Sequence, residues 1–120
     1  MSTSSASLMD TIRAATEARD AAALARLYAD DATVTIVDRS TPPSSPRQLH
    51  GRSEITAFLD DTCGRAMTHE VRETVRGDGS IAFVEHCRYP DGTRVVCATL
   101  AALDDKERIT SQTIVQAWDE

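Results

Sequence analysis

The sequence predicts an α+β domain with helices first and a mostly antiparallel sheet after them. Apolar residues recur at helical spacing up to Gly64. From Thr68 to Trp118 they alternate as in strands, interrupted by turn-forming Asp and Gly, and between Asp20 and Val37 one period gives way to the other. At 120 residues the chain has room for one sizeable core and not for two, so a single domain is expected over 1–120, with the small polar residues 1–6 as a disordered tail.

The first helix is expected from Ser7, a suitable N-cap, to Arg19, with Leu8, Met9, Ile12, Ala15 and Thr16 forming one stripe. Asp20 can cap a second, short helix in which Leu24, Leu27 and Tyr28 share a side. The pair Asp30-Asp31 suits a tight turn, after which Val34, Ile36 and Asp38 occupy one strand face and Thr33, Thr35 and Val37 the other. Asp38 to His50 reads as an irregular loop because its prolines lack a donor for helix or ladder. A loop of that length serves as a lid over a site or as a plain solvated connection. The third helix is expected from Ser53, with Ile55, Phe58, Leu59 and Cys63 on one face, ending at Gly64 as a left-handed cap.

In the strand region the turns decide which side chains share a face. Tyr89-Pro90-Asp91-Gly92-Thr93 reads as a type I turn with a glycine bulge, pairing Cys87 with Val95, Glu85 with Cys97 and Phe83 with Thr99. A turn at Asp105-Lys106 would pair Leu103 with Arg108, and hence Thr99 with Gln112 and Thr93 with Trp118. Phe83, Glu85, Thr99, Gln112 and Trp118 then lie on one face, and Val84, His86, Val96, Leu100 and Val115 on the other. The Gly77-Asp78-Gly79 turn accepts either register, which leaves the face of His69 open.

A formal charge of −6, with Lys106 the only lysine and the arginines scattered, argues against a nucleic-acid partner. No charged start precedes an apolar leader and no apolar run approaches the roughly 20 residues a membrane helix needs, so a cytoplasmic protein without a membrane partner is expected. Cys63, Cys87 and Cys97 are odd in number and lack ligand spacing; neither a disulfide frame nor a metal site is expected. There is likewise no phosphate-binding glycine loop, no His-Glu-x-x-His and no nucleophile elbow.

Leu-Tyr-Ala-Asp-Asp-Ala-Thr-Val (27–34), followed by Gly51-Arg52 and a helix bearing Ile55 and Phe58, resembles the NTF2-like superfamily of ketosteroid isomerase and SnoaL-like polyketide cyclases. The resemblance runs from about Leu8 to Trp118. It implies a cone in which three N-terminal helices pack on a strongly curved sheet, a hydrophobic pocket inside, no cofactor, and a homodimer through the outer sheet face. On that map the Glu85, Thr99 and Trp118 face lines the pocket. Ketosteroid isomerase uses an aspartate base, a tyrosine and a protonated aspartate; the corresponding positions here fall on Ile36, about Ile12, and Thr99 or Ala101, so steroid isomerisation by that site is not expected.

Two carboxylates remain as candidate catalytic residues. Glu85, set between Phe83 and Cys87 and opposite Cys97, would be desolvated and so brought toward acid/base use, unless it is salt-bridged or at the rim. Asp38 would reach the pocket mouth, or else cap a turn. Tyr28, Phe83, Thr99, Gln112 and Trp118 are the candidate substrate-binding residues; Tyr28 reads equally well as a core residue needing one hydrogen bond. His69 and His86 receive no role. Two functions follow: a cofactor-independent isomerase, cyclase or hydrolase acting on a small hydrophobic carbonyl or epoxide, or a non-catalytic ligand-binding or accessory dimer whose pocket is filled by side chains.

Overall fold

The computed structural model describes residues 4–119. Three helices, α1 (Ser4–Glu17), α2 (Ala21–Ala25) and α3 (Gly51–Gly64), pack on one face of a sheet of six strands. These are β1 (Tyr28–Val37), β2 (Arg47–His50), β3 (Thr68–Gly77), β4 (Ser80–Arg88), β5 (Arg94–Leu103) and β6 (Ile109–Trp118), in the spatial order β2-β1-β6-β5-β4-β3. Only β1 and β6 run parallel; every other neighbour pair is antiparallel, so the expected α+β class and sheet type hold.

The α1 stripe is buried as its spacing requires, with Leu8, Met9, Ile12, Ala15 and Thr16 all turned inward. The helix starts at Ser4 rather than Ser7, so part of the expected tail is helical, while residues 1–3 lie outside the described residues. It ends in a Schellman turn: Asp20 N–H donates to the Ala15 carbonyl at 2.9 Å and Arg19 N–H to that of Thr16 at 3.1 Å, with Arg19 left-handed at φ 57°.

The helix-to-strand joint differs from the expectation. Asp20 caps α2 through Oδ1, which accepts from Ala23 N–H at 3.1 Å, but the helix stops at Ala25 and Tyr28 already begins β1. Asp30 and Asp31 therefore lie inside the strand, in a bulge where the pairing jumps from Tyr28 opposite Ile109 to Thr33 opposite Ser111. Arg52 closes that bulge, donating to the Tyr28 carbonyl and pairing with Asp30 at 3.0 Å. Helix α3 starts at Gly51, whose φ of +86° favours a residue without Cβ, and buries Ile55 and Leu59. Gly64 is the last residue of the helix and is not left-handed; the chain leaves through Arg65 in an extended conformation. The loop expected over 38–50 is shorter, because Arg47–His50 pairs with β1 as β2.

The β4/β5 register is the expected one, with Cys87 opposite Val95, Glu85 opposite Cys97 and Phe83 opposite Thr99. The β5/β6 register is shifted by two residues. Thr99 faces Ile114 and Val95 faces Trp118, because Asp104 rather than Leu103 closes the turn with Arg108 and a further irregularity follows between Ala102 and Leu103. An even shift leaves every side chain on its expected face. Strand β3 uses both registers that its turn allowed: His69 and Val71 oppose Cys87 and Glu85, a bulge with Glu73 at φ 36° intervenes, and Val75 then lies on the opposite face from Val71. The bulges in β1, β3 and β6 bend the sheet around the helices, and the core fills the concave side.

Candidate functional site

The concave sheet face and the helices leave between them a cavity of about 150 Å³. Cross-strand register sets the rows of the concave sheet face around it. The innermost row is Ile81, Ala101, Gln112 and Val34; next come Phe83, Thr99, Ile114 and Ile36; then Glu85, Cys97 and Gln116; and Trp118 lies beyond them at the rim. Helices contribute Ile12, Leu24, Phe58 and Leu59, so the walls are mainly apolar. All seven candidate residues, Glu85, Asp38, Tyr28, Phe83, Thr99, Gln112 and Trp118, border this one cavity. So do Ile12, Ile36, Thr99 and Ala101, where the isomerase groups would stand; no carboxylate or phenol occupies those four positions.

At the inner end the buried Tyr28 hydroxyl donates to Gln112 Oε1. That bond orients the amide and leaves Gln112 Nε2 without a partner among the described residues. Burial holds the Tyr28 phenol well above its ordinary pKa, with the Gln112 hydrogen bond opposing the shift and the Glu85 charge adding to it, so the group remains a donor. Thr99 Oγ1, buried on the neighbouring row, is also uncommitted among the described residues. Free donors facing an apolar space are what a ligand oxygen needs.

Toward the rim, Glu85 receives two hydrogen bonds on one oxygen. His69 Nδ1 lies 2.6 Å from Glu85 Oε2 and the Cys87 thiol donates to the same atom at 3.1 Å, while His69 Nδ1 is 3.2 Å from Cys87 Sγ. Pairing across β3 and β4 brings this triad together: His69 and Cys87 are directly opposed, and Glu85 is two residues along on the same face. Glu85 Oε1 has no protein partner among the described residues, so one carboxylate oxygen is anchored and the other is free. The hydrogen bonds to Cys87 and Glu85 raise the His69 pKa to about 9 against its burial, which keeps His69 an imidazolium at neutral pH. The Cys87 thiol is pushed well up by its hydrogen bond with Cys97 and by burial, so it stays a donor and not a nucleophile. Nδ1, Oε2 and Sγ are also the atoms that could hold a metal, lying within 4.8 Å of one another, but at these separations they satisfy one another as hydrogen-bond partners.

The His69 side chain is only 3% exposed, so its ion pair should be visible in the pH dependence of stability. A histidine with a raised folded-state pKa stabilises fully below its unfolded value near 6.5, and that contribution is lost as pH rises through about 9. The melting temperature is expected to fall between pH 6.5 and 9, by roughly 3–6 °C for each kcal/mol lost. The variant His69→Asn should flatten this limb; a wild-type melting temperature constant across the window, measured by calorimetry, would contradict the ion pair.

Asp38 borders the cavity mouth, but its Oδ1 accepts from Ser40 N–H at 2.8 Å, Thr41 N–H at 2.9 Å and Thr41 Oγ1 at 3.0 Å, the turn-capping geometry that an aspartate before a proline-rich loop favours. Asp38 Oδ2, like Glu85 Oε1, has no partner among the described residues; the two carboxylates differ in place, Glu85 lying within strand β4 and Asp38 just past the end of β1. Trp118 forms the rim, stacked at 6.0 Å on Tyr89. Sequence reasoning assigned no role to His69, because the Glu73 bulge that sets its face has no signature in the sequence. It also passed over Arg47 and Arg65, both at the cavity edge.

Among the described residues no helix is long and apolar enough to cross a membrane. A SnoaL-like domain model matches residues 10–112. No curated protein matches the chain. Among solved structures it is similar to an NTF2-like protein of unknown function from Mesorhizobium loti, at 18% identity over 94% of this chain and 90% of that one, with a TM-score of 0.79. It is also similar to a putative ketosteroid isomerase from Kribbella flavida, at 19% identity over 95% and 76% with a TM-score of 0.73. A steroid delta-isomerase from Pseudomonas aeruginosa superposes at 16% identity over 98% and 82%, with a TM-score of 0.73. At these identities the structures show that the chain shares the NTF2-like fold, and the domain match covers most of the sequence: the chain belongs to the SnoaL-like domain family.

Proposed function

We propose that the protein binds a small carbonyl compound in this cavity and moves a proton on it, with Glu85 as the base and Gln112, oriented by Tyr28, as donor to the carbonyl oxygen. The observation that supports this reading best is the pair of uncommitted polar groups in a mainly apolar cavity: a carboxylate anchored through Oε2 and free at Oε1, and an amide N–H fixed from behind by a phenol. Glu85 Oε1 would take a proton from the carbon next to the carbonyl, the C–H electron pair passing to the oxygen to form an enolate held by Gln112 Nε2. Return of the proton to a different carbon gives an isomer, and to the same carbon gives exchange. The isomerase names of the two structural neighbours are in keeping with chemistry of this type, although their fold alone does not carry it.

Volume restricts the substrate. A cavity of about 150 Å³ suits one ring, as in apolar cavities that take up benzene, and falls short of the roughly 300–1,000 Å³ of sites for larger molecules. A four-ring steroid is therefore disfavoured. The test is to incubate the protein with cyclohexanone or cyclohex-3-enone in deuterated buffer and follow the α-protons by NMR. Protein-dependent exchange or isomerisation is expected. Saturable binding with no exchange above buffer would leave a binding protein and remove the base role.

The partner is proposed to be a second copy of the chain. On the convex face of the sheet Val96, Leu100 and Val115 are 37%, 60% and 48% exposed, with the small Ala98 and uncharged Thr113 between them. An uncharged, apolar patch on paired strands can be self-complementary about a twofold axis. Leu100→Asp is expected to shift the species seen by light scattering from dimer to monomer; a monomeric wild type would refute the interface.

A further inference from the structure

We infer that the cavity takes an anion: a small amphipathic carboxylate whose apolar body fills the interior and whose carboxylate meets the guanidinium of Arg47 at the rim. This rests on the cavity being a ligand site, as proposed above, and adds the charge of the ligand. The chain as a whole carries a formal charge of −6, yet the edge of the cavity is set with arginines. Arg47, on edge strand β2 opposite Ile36, lies 5.3 Å over the Phe58 ring, and Arg39 lies 4.4 Å over the Trp118 ring. Phe58, Trp118 and Arg47 itself line the cavity, so the Arg47 guanidinium stands at its wall, while Arg39 lies over Trp118 outside the lining. Neither forms an ion pair with a carboxylate among the described residues. A guanidinium lying over an aromatic ring keeps its edge N–H groups available, and those match a carboxylate in a forked geometry.

The other charges at the rim are already engaged. Arg65 donates to Asp61 at 2.7 Å and to the Tyr89 hydroxyl at 3.3 Å, and the Asp38 carboxylate is held by the turn from residue 38 to 41. Deeper in, Glu85 is matched by His69. Of the charges lining the cavity, Arg47 and Asp38 have no counter-charge among the described residues; Asp38 Oδ1 is already held by three donors of its turn, whereas the Arg47 N–H groups are uncommitted. A neutral hydrophobic ligand would leave the Arg47 guanidinium unused. An aryl or cycloalkyl acetate offers a one-ring body matched to the cavity volume and a carboxylate one carbon outside it.

Isothermal titration of the full chain with phenylacetate, phenylacetamide and cyclohexanone tests this. Phenylacetate is expected to bind about tenfold more tightly than its neutral amide, as one charge-assisted contact would give, and to weaken as salt is raised. Arg47→Gln should abolish that preference while leaving phenylacetamide within twofold of wild type, and Arg47→Lys should restore part of it. Equal binding of acid and amide, or an anion preference that survives Arg47→Gln, overturns the inference and leaves the cavity reading intact. Silence from all three probes overturns both.

Discussion

Replacing Glu85 with Gln is expected to reduce proton exchange on a bound ketone by about 10²- to 10⁴-fold, the range that general bases contribute, while ligand affinity changes by less than about threefold. The amide has nearly the same shape, and its carbonyl oxygen can take over the acceptor role of Oε2 toward His69 and Cys87, so the wall is preserved. What it cannot do is accept a proton from carbon. His69, without its carboxylate, should titrate nearer its ordinary value, which gives an independent sign that the substitution acted where intended. Comparable losses in affinity and rate would mean that Glu85 holds the ligand and is not its base. Unchanged exchange would remove Glu85 from the chemistry altogether.

The largest effect on stability is expected from Ile55→Ala. Ile55 is fully buried on α3, which packs against β1 where Val34 and Ile36 are almost as enclosed. Truncating it removes buried apolar area and leaves a void that the bulge-and-helix joint cannot readily close, since Arg52 already pins α3 to the Tyr28 carbonyl and to Asp30. A loss of about 2–5 kcal/mol is anticipated, a large share of the roughly 5–15 kcal/mol that holds a domain folded. Urea denaturation would measure it as a fall in midpoint at constant slope. Val75→Ala is the matched control, because Val75 is 63% exposed; it should cost about 0.5 kcal/mol or less. A loss below about 1 kcal/mol for Ile55→Ala would contradict the packing described for α3.

Local pattern determined a good deal of this protein. The burial of Leu8, Met9, Ile12, Ala15 and Thr16 follows from a period of 3.6 residues, and the separation of Glu85, Thr99 and Trp118 from Val96, Leu100 and Val115 follows from a period of two. The second of these survived a two-residue error in register, because an even slip preserves faces. That is why Phe83, Glu85, Thr99, Gln112 and Trp118 all border the cavity even though the pairing partner expected for Gln112 was wrong.

Tertiary structure alone decided the features that depend on odd steps and on distance. The Glu73 bulge turned His69 toward Glu85, and an insertion of one residue in a ladder leaves no mark in a hydrophobic pattern. Tyr28 looked helical by spacing, yet it starts β1, because pairing with Ile109 of β6 outweighs the propensity of a five-residue helix to continue. The pairing of the proline-rich segment's end as β2, the placement of Arg39 and Arg47 over aromatic rings and the volume of the cavity all arise from segments far apart in sequence meeting in space. Periodicity tells a side chain which way to face; what it faces depends on how the sheet bends.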